Sequence, residues 1–333
     1  MFYWSPTEFG DESMALEAPH TSIRVAARLA NGFALDLVKL GGFGRDVIDG
    51  LLIAAISQAN VAQITRSPEL QRAYATLEQP PPDEMRRPVS VSAIANSLCL
   101  PFETVRRRTA GLAAQGVVQI AKRGVIVPTG AFNSPFYRMA AEANYVLVRN
   151  LYFRLRGIGL LEDLPRPNGP PFDPEHPPVR LVIRLSSDYL LRLAEPVTRH
   201  MGDVVSGLLL MDVIQANTEH LPDTEGGDPA GGWAAEGFVP DILRRPVRPT
   251  TLSERLGIPL ETVRRRLQRL VDADQCERME DGYVVPARIL ARPPFIQYVL
   301  DNRSHVHRLY AGLADFGVLS EWERDVLALR GAA

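Results

Sequence analysis

The feature that most constrains how this chain can fold is that much of it occurs twice. Arg86-Arg87-Pro88-Val89 recurs as Arg244-Arg245-Pro246-Val247, and Pro101-Phe102-Glu103-Thr104-Val105-Arg106-Arg107-Arg108 recurs as Pro259-Leu260-Glu261-Thr262-Val263-Arg264-Arg265-Arg266, both at an offset of 158. Upstream, Asp46-Val47 and Gly50-Leu51-Leu52 match Asp203-Val204 and Gly207-Leu208-Leu209, and Gln58-Ala59-Asn60 matches Gln215-Ala216-Asn217, at 157. Ile23-Arg24-Val25 and Arg28-Leu29 match Val179-Arg180-Leu181 and Arg184-Leu185 at 156, while Asn144, Val148, Leu151, Tyr152 and Leu155 match Asn302, Val306, Leu309, Tyr310 and Leu313 at 158. So small a drift over so long a stretch indicates tandem duplication, and a fold assigned without it would be wrong from the start.

The repeat divides the chain into an N-terminal extension over 1–20, a first copy over 21–160, a Pro-rich linker over 161–178 and a second copy over 179–333. With 333 residues each copy is long enough to bury its own core. No apolar run reaches the ~20 residues of a membrane span, and MFYWSPTEFGDES lacks the basic and apolar regions of a secretory signal, so a cytoplasmic location is expected. The cysteines, Cys99 and Cys276, are too few for a disulfide framework, and Cys99 is expected to be a buried reduced thiol ahead of a redox switch.

Within each copy the apolar spacing predicts a buried helix over 44–60 and again over 203–217. Gly50 and Gly207 inside them imply a close neighbour, either within the copy or across the boundary between copies. After a proline-rich loop (80–88, 222–237) comes a short helix, Ser92–Leu98 or Thr250–Leu256, then a tight turn, then a second helix opened by Pro101 or Pro259. Short helix, turn and second helix form the helix-turn-helix pattern. Strand-like runs follow, Val117–Ile120 and Val125–Val127, then Gln275–Met279 and Tyr283–Val285, as hairpins placed like wings. Long helices over 135–156 and 294–314 close the copies. The expected fold class is mainly α with small β-hairpin wings, in a pseudo-twofold arrangement if the copies pair.

At 100° per residue, Val105, Thr109 and Leu112 share one face of the second helix, and Arg106, Arg107 and Ala110 point away; in the second copy Val263, Leu267 and Leu270 lie inward and Arg264, Arg265, Gln268 and Arg269 outward. Arg108 and Arg266 fall at the flank, suited to phosphate or to an intramolecular carboxylate. Thr104 and Thr262 stand at the helix start, Lys122-Arg123 at the first hairpin tip and Glu280-Asp281 at the second. A charge run is commonly only a solvated face. Here, although the chain carries net −2, residues 86–130 sum to +6 and 244–288 to +3, which leaves −11 for the rest. Such concentration is the electrostatic footprint of duplex binding. Arg can pair with guanine and Gln with adenine in the major groove, while remaining cations contact phosphate.

The string Leu252-x-x-x-Leu256-Gly257-Ile258-Pro259-x-Glu261-Thr262-Val263-Arg264-Arg265-Arg266-Leu267-x-x-Leu270 resembles winged helix-turn-helix bacterial transcription factors of the GntR, IclR and MarR kind. The resemblance covers residues 86–130 and 244–288 and implies recognition helices starting at Thr104-Val105-Arg106 and Thr262-Val263-Arg264. The chain departs from those families in holding both units itself. The expected function is transcriptional control through double-stranded DNA with an imperfect palindrome, with replication or partition initiation and a protein-interaction role as alternatives. No cofactor or metal is expected: His305-x-His307 is spaced wrongly for one helix face, and no catalytic motif occurs. A small-molecule effector and the pairing of whole chains into homodimers stay open. Phe136, Tyr137, Tyr145, Tyr152, Phe153, Tyr298 and Tyr310 are assigned to core packing ahead of an effector pocket.

Overall fold

A computed structural model describes residues 20–42, 45–165, 170–222 and 228–331, so the expected N-terminal extension and part of the linker lie outside the described residues. The chain is mainly helical with two small antiparallel hairpins. Its first half runs α1 (His20–Gly41), α2 (Val47–Asn60), α3 (Ala62–Thr65), α4 (Pro68–Ala73), α5 (Val91–Ser97), α6 (Phe102–Ala114), β1 (Gln119–Ala121), β2 (Gly124–Ile126) and α7 (Pro135–Gly157). The second runs α8 (Val179–Arg192), α9 (Ala194–Met201), α10 (Val204–Thr218), α11 (Pro249–Leu256), α12 (Leu260–Asp272), β3 (Glu277–Met279), β4 (Gly282–Val284), α13 (Ala287–Leu290), α14 (Pro293–Asp315) and α15 (Val318–Gly331).

Local chemistry accounts for most boundaries. Asp46 and Asp203 cap α2 and α10 by accepting amide hydrogens from Ile48 and Asp49 and from Val205 and Ser206, so each helix begins later than its apolar run suggested. Ser90 caps α5 through the Ala93 amide, whereas α11 opens on Pro249 without a side-chain cap. The long α1 has a broken counterpart in α8 and α9, because Pro196 lacks the N–H that would continue the helix from Arg192. The hairpin tips shorten to Lys122-Arg123 and Glu280-Asp281, with Gly124 and Gly282 inside the strands at φ 134° and 150°. A Cβ on either glycine would lie 2.5 or 2.4 Å from the carbonyl of Val89 or Val247, the residue that bridges each hairpin as a third, isolated strand.

The halves pack reciprocally. α1 lies against α10 and α14 of the second half, and α8 lies against α2 and α7 of the first. At two places a residue meets its own sequence counterpart: the rings of Phe33 and Tyr189 are 5.5 Å apart and those of Tyr152 and Tyr310 5.6 Å apart. Under a twofold relation, residues that touch their own equivalents lie at the axis. Helix N-termini add reciprocal straps. Arg184 donates to the carbonyls of Tyr74 and Gln71 at 2.8 Å, while Arg28 donates to that of Pro222 at 2.5 Å and Arg24 to that of Gly232.

Gly50 and Gly207 face neighbours in their own half. A Cβ on Gly50 would meet the Val38 carbonyl at 2.6 Å and the Gly42 amide at 2.7 Å; on Gly207 it would meet Val197 Cγ1 at 2.2 Å. Among the described residues, α3 and α4 in the first half and α15 in the second have no α-helix at the equivalent positions of the other half. α15 was not foreseen; it docks through Trp322, fully buried, whose Nε1 donates to Tyr145 on α7 at 2.6 Å. The irregular linker is held at Phe172, over which Arg72 stacks at 4.5 Å.

Replacing Gly50 by Ala forces a Cβ into backbone that cannot rotate away, and should destabilise the protein by about 1–3 kcal/mol in chemical denaturation. Asn60→Ala, which strands the buried backbone groups described next, should cost about 3 kcal/mol by the same measurement.

Candidate nucleic-acid interface

Each arginine-rich helix is fixed to the body at both ends of the long buried helix beneath it. At the far end, Asn60 Nδ2 donates to the carbonyls of Arg87 (2.8 Å) and Val125 (3.0 Å), and its Oδ1 accepts from the Val127 amide (2.9 Å). Asn217 repeats this with Arg245 (2.7 Å), Tyr283 (3.1 Å) and Val285 (2.9 Å). Both asparagines are fully buried, so the backbone of the hairpin and of the preceding extended segment finds its partners in one amide. At the near end, Arg108 Nη1 reaches Asp46 at 2.6 Å and Asp49 at 2.7 Å, and Arg266 Nη1 reaches Asp203 at 2.7 Å and Ser206 Oγ at 2.8 Å.

These capping carboxylates therefore serve a helix N-terminus and a guanidinium at once. Burial works against the charge on Arg108, but hydrogen bonds and charges from Asp46 and Asp49 outweigh it and raise its pKa. Burial alone would raise the Asp203 carboxyl; the Ser206 hydroxyl, the Arg266 charge and the Ser206 amide together hold it below its ordinary value of 3.8. Of the partners left open for Arg108 and Arg266, the structure shows the carboxylate.

The remaining candidate side chains face outward. Val105, Thr109 and Leu112 are buried, as are Val263, Leu267 and Leu270, so α6 and α12 expose Arg106, Arg107, Arg264, Arg265, Gln268 and Arg269. Arg106 pairs with Glu103 and Arg264 with Glu261, each at 2.7 Å along an exposed helix edge, and Gln268 donates to Asp272 at 2.8 Å. Such solvent-screened pairs are weak and easily exchanged for another anion. Among the described residues, no side-chain hydrogen bond or ion pair engages Arg107, Arg265 or Arg269, nor Lys122 and Arg123 at the first hairpin tip. Thr104 and Thr262 are half-buried at the start of each helix.

The local charge needs correction for the same reason. Arg86 and Arg244, counted in the basic windows, are buried beside Asp83 and Asp241 at 3.2 Å, and Arg255 is committed to Asp212 at 2.9 Å and Glu219 at 2.8 Å. With Arg108 and Arg266 they are neutralised by acids outside those windows. Fewer cations face solvent than the sums imply: Arg106 and Arg107 on α6, Arg264, Arg265 and Arg269 on α12, Lys122 and Arg123 on the first hairpin, and Arg87, Arg245, Arg248, Arg278 and Arg288 around them.

No family model, curated protein or solved structure matches the chain.

Among the other candidates, Cys99 and Phe136 depart from expectation and Tyr152, Tyr298 and Tyr310 are buried as expected. Cys99 is exposed at φ 51°, in the left-handed turn position that Gly257 fills at φ 65° in the second half, which turns its side chain outward. Cys276 is buried, and that burial pushes its thiol up to about 12. His307 lies 3.2 Å from Asp163, and no group of potential metal ligands occurs among the described residues. Tyr152 and Tyr310 pack between the halves, Tyr145 supports Trp322, Phe136 is exposed, and Tyr298 is buried beside a cleft considered below. Sequence reading missed Asn60, Asn217, Asp46 and Asp203 as the residues that set the interface. Their signal was present, because all four belong to the repeated blocks, but nothing local states what a repeated Asn or Asp binds.

Arg108→Met and Arg266→Met should each lower stability by about 1–2 kcal/mol after allowance for solvent screening, whereas Arg107→Met and Arg265→Met should leave the denaturation midpoint unchanged. Because the folded Asp203 carboxyl titrates below 3.8, its contribution is present above that pH and is lost as pH falls through the folded value. Acid titration of Asp203→Asn against the parent should show the two stability curves converging there.

Proposed function

We propose that the chain is a sequence-specific, double-stranded DNA-binding regulator of transcription, in which two winged helix-turn-helix units of one polypeptide form a covalent pseudo-dimer on two half-sites. The observation that carries this reading is the matched pair of exposed arginine faces on α6 and α12, each held by the same carboxylate tie and the same asparagine staple. A helix held beneath a face of guanidiniums that are unpaired or only in exposed, exchangeable pairs is suited to entry into a major groove, with Arg106, Arg107, Arg264, Arg265, Gln268 and Arg269 toward bases and phosphates and Thr104 and Thr262 toward the backbone. The reciprocal packing of the halves supports two reading heads in a set geometry, with half-site centres about one helical turn, ~34 Å, apart. Arg108 and Arg266 are positioning residues in this reading, since their guanidiniums are spent on Asp46 and Asp203.

The units are not equivalent. Lys122-Arg123 suits a phosphate backbone or a minor groove, whereas Glu280-Asp281 would be repelled by phosphate, and Ala110 stands where Gln268 stands in the second unit. An imperfect palindrome follows. The acidic second tip, beside the exposed Met279, favours a further reading in which the second unit's hairpin contacts a protein while its helix reads DNA.

Selection of bound fragments from randomised duplex DNA, followed by sequencing, should return a two-part motif whose affinity falls steeply with salt. Changing Arg106 and Arg107 to Ala should erase one half of the motif, and changing Arg264 and Arg265 the other. No enriched motif, with both variants like the parent, would sink the proposal.

A further inference from the structure

The repeat makes each half a control for the other, and one matched pair of buried residues is treated unequally. In the first half, Arg86 donates to the Thr129 hydroxyl and the Pro81 carbonyl, each at 3.2 Å, and its guanidinium stacks on Phe132 at 4.7 Å. Phe132 in turn meets Tyr137 edge-on at 4.9 Å. In the second half the positions of Thr129, Phe132 and Tyr137 hold Ala287, Leu290 and Phe295, so a hydroxyl, a stacking ring and a phenol are gone while the arginine is kept.

The consequences are visible on both sides. Arg244, whose side chain is only 2% exposed, donates through Nη2 to the Val239 carbonyl at 2.9 Å and lies with Nε 3.2 Å from the half-exposed Asp241, but neither Nε nor Nη1, both buried, makes a hydrogen bond. Burying a cation with an unfilled donor is costly unless an anion completes it, and burial accordingly lowers its pKa. The space differs as well. In the first half it is two clefts of about 440 and 680 Å³, mouths included, both walled by Phe132 and Tyr137; in the second it is a cleft of about 740 Å³, mouth included, lined by Arg244.

We propose that this cleft between α1 and the base of the second unit binds a small apolar monocarboxylate, its head group on Arg244 Nη1 and its body against Leu290, Phe295, Tyr298 and Val299. The walls are mostly apolar and suit a hydrocarbon body, while the open donors on one guanidinium select a compact, singly charged head over a bulky polyanion. Arg24 and Arg28 line the same cleft from α1 and add positive potential. The ligand would touch both halves of the chain, a property independent of whether either half reads DNA.

Isothermal titration of the full chain with octanoate, with 1-octanol as its uncharged counterpart and without DNA, tests this. Octanoate should bind at one site and 1-octanol at least tenfold more weakly. Arg244→Met should remove that preference, and Arg86→Met should leave octanoate binding unchanged. Because loss of a buried arginine can impair folding, Ala27→Phe provides a second test: it fills the cleft from α1 while leaving Arg244 in the chain, and should abolish binding in a protein whose melting transition is intact. Absence of octanoate binding, equal binding of 1-octanol, or binding unaffected by Ala27→Phe would overturn the proposal.

Discussion

A carboxylate at the start of one buried helix and an amide at its end hold each arginine-rich unit to the body, and the rest of the arrangement depends on them. Asp46 terminates α2 and grips Arg108; Asn60 ends α2 and gathers the backbone of the hairpin. The second half repeats both with Asp203 and Asn217. Because α2 and α10 are packed by the first helices of the opposite halves, whatever fixes a unit to its pillar also fixes it relative to the other unit. Such ties are high-stakes: satisfied, they specify one geometry, and with a single partner removed they leave buried groups orphaned.

The same pairing decides which cations are available. Arginines that are alike in sequence divide into those spent on internal acids, such as Arg86, Arg108, Arg244, Arg255 and Arg266, and those left on exposed faces. The division leaves each outward face with a small number of guanidiniums on a rigid base, where a diffuse basic surface would lack register. In the proposed function, the internal pairs supply position and the external ones supply contact.

Divergence between the halves is informative because the scaffold is held constant. Trp322 and α15 close one end against α7 with no equivalent among the described residues, the second hairpin reverses its charge, and the surroundings of Arg244 lose the Thr129 hydroxyl and Phe132 ring that contact Arg86. Each change removes or adds side-chain chemistry while the backbone ties persist. The asparagine and N-cap carboxylate ties persist in both halves, although Asp49, the second partner of Arg108, is replaced by Ser206 beside Arg266.

The amino-acid sequence by itself determined the repeat, the buried helices α2 and α10, the helix-turn-helix-hairpin order within each copy, the long helices α7 and α14, and which faces of α6 and α12 turn inward, because these follow from spacing and from capping and breaking residues close by in the chain. It left undecided whether Gly50 and Gly207 face their own half, and it placed Cys99 in the core, since a left-handed turn residue and a close backbone approach are properties of the assembled chain. Tertiary structure alone selected the partners of Arg108 and Arg266, which lie 62 and 63 residues away, and docked Trp322 on Tyr145 across 177. Periodicity encodes a face, but an ion pair or a buried amide takes its meaning from groups that only folding brings within 3 Å, and many carboxylates in the chain would have served equally well on paper.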